Sequence, residues 1–166
     1  MKRERIAMRA RRPAADASIV SIKATSPEAR DLMAALDAEL RVRYPGHPTH
    51  GLHERELQDS STVFLVARLG DEAIGCGAVR WLGPGVAEIK RMYVRPAYRR
   101  KGLARRILEA LEAAVRSQGI GVIRLETGVG QPEALLLYRS AGYEAIPTFG
   151  EYAGDPLSRC FEKRLG

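Results

Sequence analysis

Between residues 86 and 115 the chain changes its hydrophobic period once, and that change limits what it can fold into. The stretch "VAEIKRMYV" (86–94) reads as a strand. Pro96 ends its ladder, and "AYRRKG" (97–102) supplies a turn containing glycine. From Leu103 onward the period is helical. Leu103, Ile107, Leu108, Leu111, Ala114 and Val115 form one apolar stripe, while Arg105, Arg106, Glu109, Glu112 and Arg116 take the other face. A strand feeding a helix in this way, followed by the short strand "GVIRLET" (121–127), reads as a crossover between parallel strands.

The flanking segments fit one α/β domain. "SIVSIKA" (18–24) reads as a first strand and "SPEARDLMAALDAELRVRY" (26–44) as a helix, with Ser26 as its cap and Pro27 at its first position. Residues 45–61 read as an irregular loop or short helix. "TVFLVARLG" (62–70) and "EAIGCGAVRWL" (72–82) flank Gly70-Asp71 as a hairpin, and Gly83-Pro84-Gly85 turns into residues 86–94. "QPEALLLYRSAG" (131–142) reads as a second crossover helix and "PLSRCFEKRL" (156–165) as a closing strand. The expected order is β-α-loop-β-β-β-α-β-α-β, a mixed sheet. Both end-of-strand parities in 86–94 are apolar: Ile89 and Tyr93 share one, Met92 and Val94 the other. A β-bulge explains this, and so does burial on both faces.

Charge is unevenly spread. Residues 1–17 hold six basic and two acidic residues, a net +4 of the total +7, so the remaining 149 residues are only mildly basic. Residues 1–17 read as a disordered basic tail, with Met8 as an alternative initiator, and residues 18–166 as the domain. The body's modest charge speaks against a nucleic-acid partner. No apolar run approaches the length of a membrane span, so no membrane partner is expected. Cys76 and Cys160, both in apolar strands, read as small buried hydrophobes in a reducing cytosol, which places the chain in the cytoplasm.

The turn at 99–104 has its own chemistry. The first turn of a helix leaves N–H groups unpaired and carries about half a positive charge. Gly102 lets a ligand approach the backbone, and Arg99, Arg100 and Lys101 add charge. This favours a phosphate or pyrophosphate over a nucleic acid, which would want more aromatic side chains than the nearby Tyr93 and Tyr98. A solvated basic loop opening an amphipathic helix is the alternative.

Arg99, Gly102 and Ala104 form an R-x-x-G-x-A pattern after "MYVRP", and "RLETG", "QPEALLLYRSAGY" and "FEKRL" follow in order. This ordered set resembles the GNAT N-acetyltransferase superfamily over residues 18–166, most closely over 86–146. The resemblance implies a GNAT fold with a V-shaped splay between two parallel strands. It implies that acetyl-CoA is the co-substrate, with its pyrophosphate on the backbone of Arg99, Arg100, Lys101, Gly102, Leu103 and Ala104. The pantetheine arm would then lie along Met92, Tyr93 and Val94. Gln131 stands where many members have asparagine, at another cofactor contact. The activity implied is acetyl transfer to a primary amine of a small molecule or amino acid by direct attack. A protein or peptide amine is a second acceptor, and a non-catalytic acyl-CoA-binding module is a different class. The family chemistry needs no metal. Dimers are common in that superfamily, so a homodimer is implied here.

Acetyl transfer to an amine needs a base, because an alkylammonium of pKa about 10.4 is the free nucleophile in only about one molecule in 2,500 at pH 7, a cost of roughly 4.6 kcal/mol. Glu88 is an isolated carboxylate in an apolar strand, and its residue chemistry also suits a partner for Lys90 or Arg80. The resemblance implies a general base at Glu88. Tyr138 reads as a core tyrosine with its hydroxyl at the rim, and the resemblance makes it the general acid for the departing thiolate and a cofactor contact. The spacing of His47, His50 and His53 with Glu54 invites a metal reading, but nothing else in the chain completes a site; the resemblance instead implies that these histidines, with Arg41 and Arg43, border the acceptor pocket. Arg41 and Arg43 would suit an acceptor carboxylate, whereas Glu151 and Tyr152 would suit a cation.

Overall fold

A computed structural model describes residues 14–166. The basic cluster from Lys2 to Arg12 and Met8 lie outside the described residues. Residues 14–17 pack against the domain: Ala14 and Ala17 are buried, and Arg106 donates to the carbonyls of Ala14 and Ala17.

The chain forms β1 (Ser18–Ser21), α1 (Pro27–Arg43), a short α2 (Glu54–Gln58), β2 (Val63–Leu69), β3 (Glu72–Gly83) and β4 (Val86–Val94). Then come α3 (Leu103–Ser117), β5 (Val122–Gly128), α4 (Pro132–Ser140), β6 (Glu144–Ile146) and β7 (Ser158–Arg164). The seven strands make one sheet in the order β1-β2-β3-β4-β5-β7-β6. Of the pairs, β4–β5 is parallel and the rest are antiparallel. The order matches the reading above except for β6, whose three residues carry no alternation, being exposed or half-buried.

Each face of the sheet has its own core. Ile107, Leu108, Leu111 and Val115 of α3 pack with Ala87, Ile89, Ile123 and Leu125 on one face, and α4 joins them through Tyr138. Leu32, Met33 and Leu36 of α1 pack with Phe64, Val66, Ala78 and Tyr93 on the other. Ser26 caps α1, its hydroxyl accepting from the Ala29 amide at 3.3 Å. One residue departs from the amphipathic reading of α3. Glu112 is buried, accepting from the Tyr143 hydroxyl at 3.0 Å and from Lys163 at 3.0 and 3.1 Å. Both partners are remote in sequence, so helical spacing alone assigned Glu112 to solvent.

The bulge is present. Ala78 pairs with Lys90 and Cys76 with Tyr93, so Arg91 and Met92 together face Gly77. Arg91 takes φ +59°, and the Cys76 thiol donates to its carbonyl at 3.3 Å. The extra residue switches parity, sending Met92 and Val94 towards α3 and Tyr93 towards α1. It also ends the parallel ladder. The last β4–β5 pair is Ile89 with Leu125, after which β5 continues along β7 as far as Gly128. Strands β4 and β5 therefore diverge beyond residues 89 and 125.

A Cβ on Gly77 would lie 2.7 Å from Leu111 Cδ1 and 2.8 Å from Met92 Sδ. Gly77→Ala should therefore overpack the bulge and cost about 1–3 kcal/mol. For a chain of this size that lowers the melting temperature by about 2–4 °C per kcal/mol, which a thermal melt reads directly.

Candidate active site

The turn between β4 and α3 is an anion nest. Arg100 and Gly102 have φ +63° and +76°, and α3 has no side-chain cap. The amides from Arg100 to Arg105 meet no acceptor among the described residues, the first helical bond being Arg106 N–H to Gly102 O at 3.2 Å. Nothing lies within 4 Å of where a Cβ on Gly102 would stand, so the backbone is open to a ligand. Arg100 and Lys101 are exposed above it, Leu103 is buried beneath it, and Ala104 is half-buried.

Arg99 has a different place. Its side chain holds Glu39 of α1 through Nη1 at 2.9 Å and Nη2 at 2.5 Å, and its Nε donates to Val94 O at 2.8 Å. The Arg99 hydrogen bond holds the Glu39 carboxyl below the usual range against its partial burial. Arg43 joins Glu39 and also bonds Glu133 and Gly130 O of the β5–α4 turn. The end of α1 thus bridges the two sides of the diverging strands. Arg43 is held in that bridge by Glu39, Glu133 and Gly130 O, and Arg41 is exposed.

Glu88 is fully buried. Its Oε2 accepts from Arg80 Nε at 2.8 Å and Nη2 at 2.7 Å, and its Oε1 from the Tyr152 hydroxyl at 2.5 Å. Lys90 donates to Tyr152 Oη at 2.7 Å and to Glu151 at 3.0 Å, while Arg80 also binds Glu56 at 2.7 Å. Burial opposes the charge on Glu151, but Lys90 and Arg80 prevail and hold its pKa at about 2. Glu88, Glu151 and Tyr152 therefore form one closed network, with Arg80 as the neighbouring-strand partner of Glu88.

The open cleft lies beside this network, where β5 has left β4. Leu40 and Tyr44 of α1, His47 and His50, Glu126, Gln131, Asp155 and Ser158 line it. Glu126 follows the last paired residue of β5 on the same face as Glu88, and Ser158 Oγ donates to its Oε1 at 2.9 Å. Burial raises the Glu126 pKa, and the hydrogen bond from Ser158 offsets part of that. Sequence reading passed over Glu126. The signal for it was a lone carboxylate near the end of a half-buried strand, but nothing in the sequence said where the ladder to β4 stops.

Of the remaining cofactor candidates, Gln131 lines the cleft, and Met92, Tyr93, Val94 and Tyr138 lie in the core or on its edge. Met92 and Val94 face α3, while Tyr93 lies under the Arg99 guanidinium at 5.7 Å. Tyr138 is buried, ring-packed on Tyr143 and Phe161. Burial first, and then the charge of Glu126, push its pKa upward. Its hydroxyl bonds to no group among the described residues. Gln131 Oε1 accepts from Tyr44 Oη at 3.3 Å and Gly128 N at 3.3 Å, closing the turn into α4. A Cβ on Gly128 would collide with that Tyr44 hydroxyl. His50 pairs with Asp155 at 3.1 Å and His53 with Glu151 at 3.4 Å. Among the described residues no group of three or more His, Cys, Asp or Glu side chains is arranged to hold a metal, and no helix is long and apolar enough to cross a membrane.

The model of the acetyltransferase (GNAT) family matches residues 29–143. The chain belongs to this GNAT family. Membership makes it an acyltransferase and agrees with the diverging parallel strands. A relative described as IAA acetyltransferase, from Azospirillum brasilense, is 39% identical over 135 residues, covering 81% of this chain and 88% of the relative. The N-alpha-acetyltransferase RimI of Mycobacterium tuberculosis is 32% identical over 135 residues, covering 80% and 83%. Among solved structures, an acyl-CoA N-acyltransferase from Klebsiella pneumoniae superposes with a TM-score of 0.78 at 35% identity, covering 92% of this chain and 99% of that one.

Removing the Glu88 charge should act on stability. Glu88→Gln weakens a buried pairing with Arg80 and should cost about 3 kcal/mol, seen as a lower urea midpoint at unchanged slope.

Proposed function

We propose that this chain transfers the acetyl group of acetyl-CoA to a primary amine of a small molecule, with Glu126 as proton acceptor and Tyr138 as hydrogen-bond donor to the leaving sulfur. The observation that carries this reading is Glu126. It is a carboxyl with a raised pKa, lining an open cleft at the point where β5 parts from β4. Acetyl-CoA would supply an activated acyl thioester. The residues present fit it: free amides in the turn suit a pyrophosphate, and the β4 edge beyond Ile89 lacks a strand partner on the β5 side.

Glu126 takes the proton that the substrate ammonium must lose, freeing the nitrogen pair to form the new C–N bond. Its raised pKa brings it closer to that task than an exposed carboxylate would be. Tyr138, with its pKa raised, stays protonated and would offer its O–H to the sulfur as the C–S bond breaks; the nitrogen sheds its second proton as the amide forms, and the sulfur would leave as the thiol with that proton. Glu88 serves the wall of the site, fixing Tyr152 and Arg80. The cleft is closed in by α1, the loop carrying His47 and His50, and the segment carrying Asp155, which favours a small acceptor. A peptide α-amine is the second reading, favoured by the relative that is named for N-alpha acetylation.

The test has two parts. Acetyl-CoA or CoA at a hundred times its dissociation constant should stabilise the chain by about 2.7 kcal/mol, and ATP should have little effect. Gly102→Glu places a carboxylate over the free amides and should abolish that shift.

Thiol release with amine substrates should show an acid limb, because Glu126 acts only when deprotonated. The limb should lie above the usual carboxylate value of about 4.3, and Glu126→Gln should remove it while lowering kcat by about 10²-fold or more. Stability should move the other way. A carboxyl whose folded pKa is raised stabilises fully below its unfolded value and loses that contribution as pH rises through the folded value. Glu126→Gln should therefore melt higher than the parent chain at neutral pH. Unchanged kcat and an intact limb in that variant would remove Glu126 from the mechanism.

A further inference from the structure

On the α1 side of the bulge lies a second cleft, between α1 and the loop leading into α2. Arg30, Asp37, Gly51, Leu52 and Arg91 help to line it. Arg91 is only 6% exposed. Its Nη2 donates to Met33 O and to Asp37 Oδ1, both at 2.8 Å. Its Nε is buried with no acceptor, and Nη1 meets none among the described residues. A buried arginine ordinarily has its five N–H groups bonded. Here Nε is a buried donor without an acceptor and Nη1 has none among the described residues, on a residue whose backbone is also strained at φ +59°.

The surroundings keep that guanidinium approachable. Arg91 Nη1 would lie 3.7 Å from a Cβ on Gly51, so the loop passes it with no side chain in between. A second cation, Arg30, reaches the same cleft, and its pairing with Glu54 at 3.0 Å is half exposed and readily exchanged. Asp37 occupies one guanidinium nitrogen and leaves the other two.

This cleft adjoins the one that holds Glu126. Asp37 and Leu40 are one turn apart on α1, and His50 and Gly51 are neighbours, so the same helix and the same loop run past both clefts. Donors to an anion and an acceptor for an ammonium proton thus line neighbouring clefts along the same helix and loop.

We infer that Arg91, assisted by Arg30, binds a carboxylate of the acceptor, so that the substrate class is amino acids and related amino-carboxylic acids. A planar guanidinium with idle N–H groups suits a carboxylate better than any neutral group. The assignment rests on the acetyl-transfer reading above and deepens it.

The experiment compares amino acids with their amides as acceptors, following thiol release from acetyl-CoA by the full chain, and as ligands, following the melting shift with CoA present. The parent chain should favour the acids in kcat/KM and melt higher with them than with the amides. Arg91→Met should lower the acid-to-amide ratio about tenfold or more. Asp37→Asn, which removes a competing negative charge, should raise it. A purely structural arginine would change stability in both variants and leave the ratio alone. Each variant's melting shift with CoA reports whether it is folded, and if Arg91→Met is not, Asp37→Asn decides. Equal use and binding of acids and amides by the parent chain, or a ratio unmoved in the folded variants, overturns the carboxylate site while acetyl transfer stands. No melting shift with acetyl-CoA and no thiol release with any amine overturns the transferase reading, and this inference with it.

Discussion

At Arg91, β4 carries one residue more than β3 can pair, and much of the site follows from that mismatch. The bulge adds twist and turns the end of β4 away from its parallel neighbour. The β4–β5 ladder stops at Ile89 and Leu125, although both strands continue. A sheet centre is normally sealed by its own hydrogen bonds. Here the ladder opens in the middle of the domain, leaving the end of β4 unpaired on the β5 side among the described residues. The glycine at 77 and the thiol of Cys76 accommodate the extra residue, one by giving Met92 room and the other by bonding the Arg91 carbonyl.

Around that opening, charged groups divide into closed and open sets. Arg80, Glu88, Lys90, Glu151 and Tyr152 satisfy one another, and Arg99, Glu39, Arg43 and Glu133 tie α1 across both sides of the slot. Such networks fix the geometry of the walls. Among the described residues the open set is smaller: the amides of the β4–α3 turn, the second oxygen of Glu126, the Tyr138 hydroxyl, and Nε and Nη1 of Arg91. Closed groups have their desolvation offset by partners within the chain. Open ones have it offset less, which is what marks them as candidates for contact with a ligand. In the proposed reading the proton acceptor is therefore Glu126, while Glu88 belongs to the closed set.

What the sequence determined by itself was local or patterned. The period change at residues 86–115, the Ser26 cap, the Gly70-Asp71 hairpin and the Arg-rich turn each depend on neighbours within a few residues. The ordered motifs from Arg99 to Tyr138 carried the family for the same reason, since their spacing lies along the chain. Tertiary structure decided what depends on partners far away in sequence. Glu112 is buried because Tyr143 and Lys163 come to it. Arg99 binds Glu39 rather than waiting in the turn, across a separation of 60 residues. Glu88 and Glu126 are both lone carboxylates in half-apolar strands, alike to any local rule. They differ because Arg80 and Tyr152 close over one, while the end of the β4–β5 ladder leaves the other beside open space. Pairing register and remote charge partners set that outcome, and neither is written in the spacing of residues along one strand.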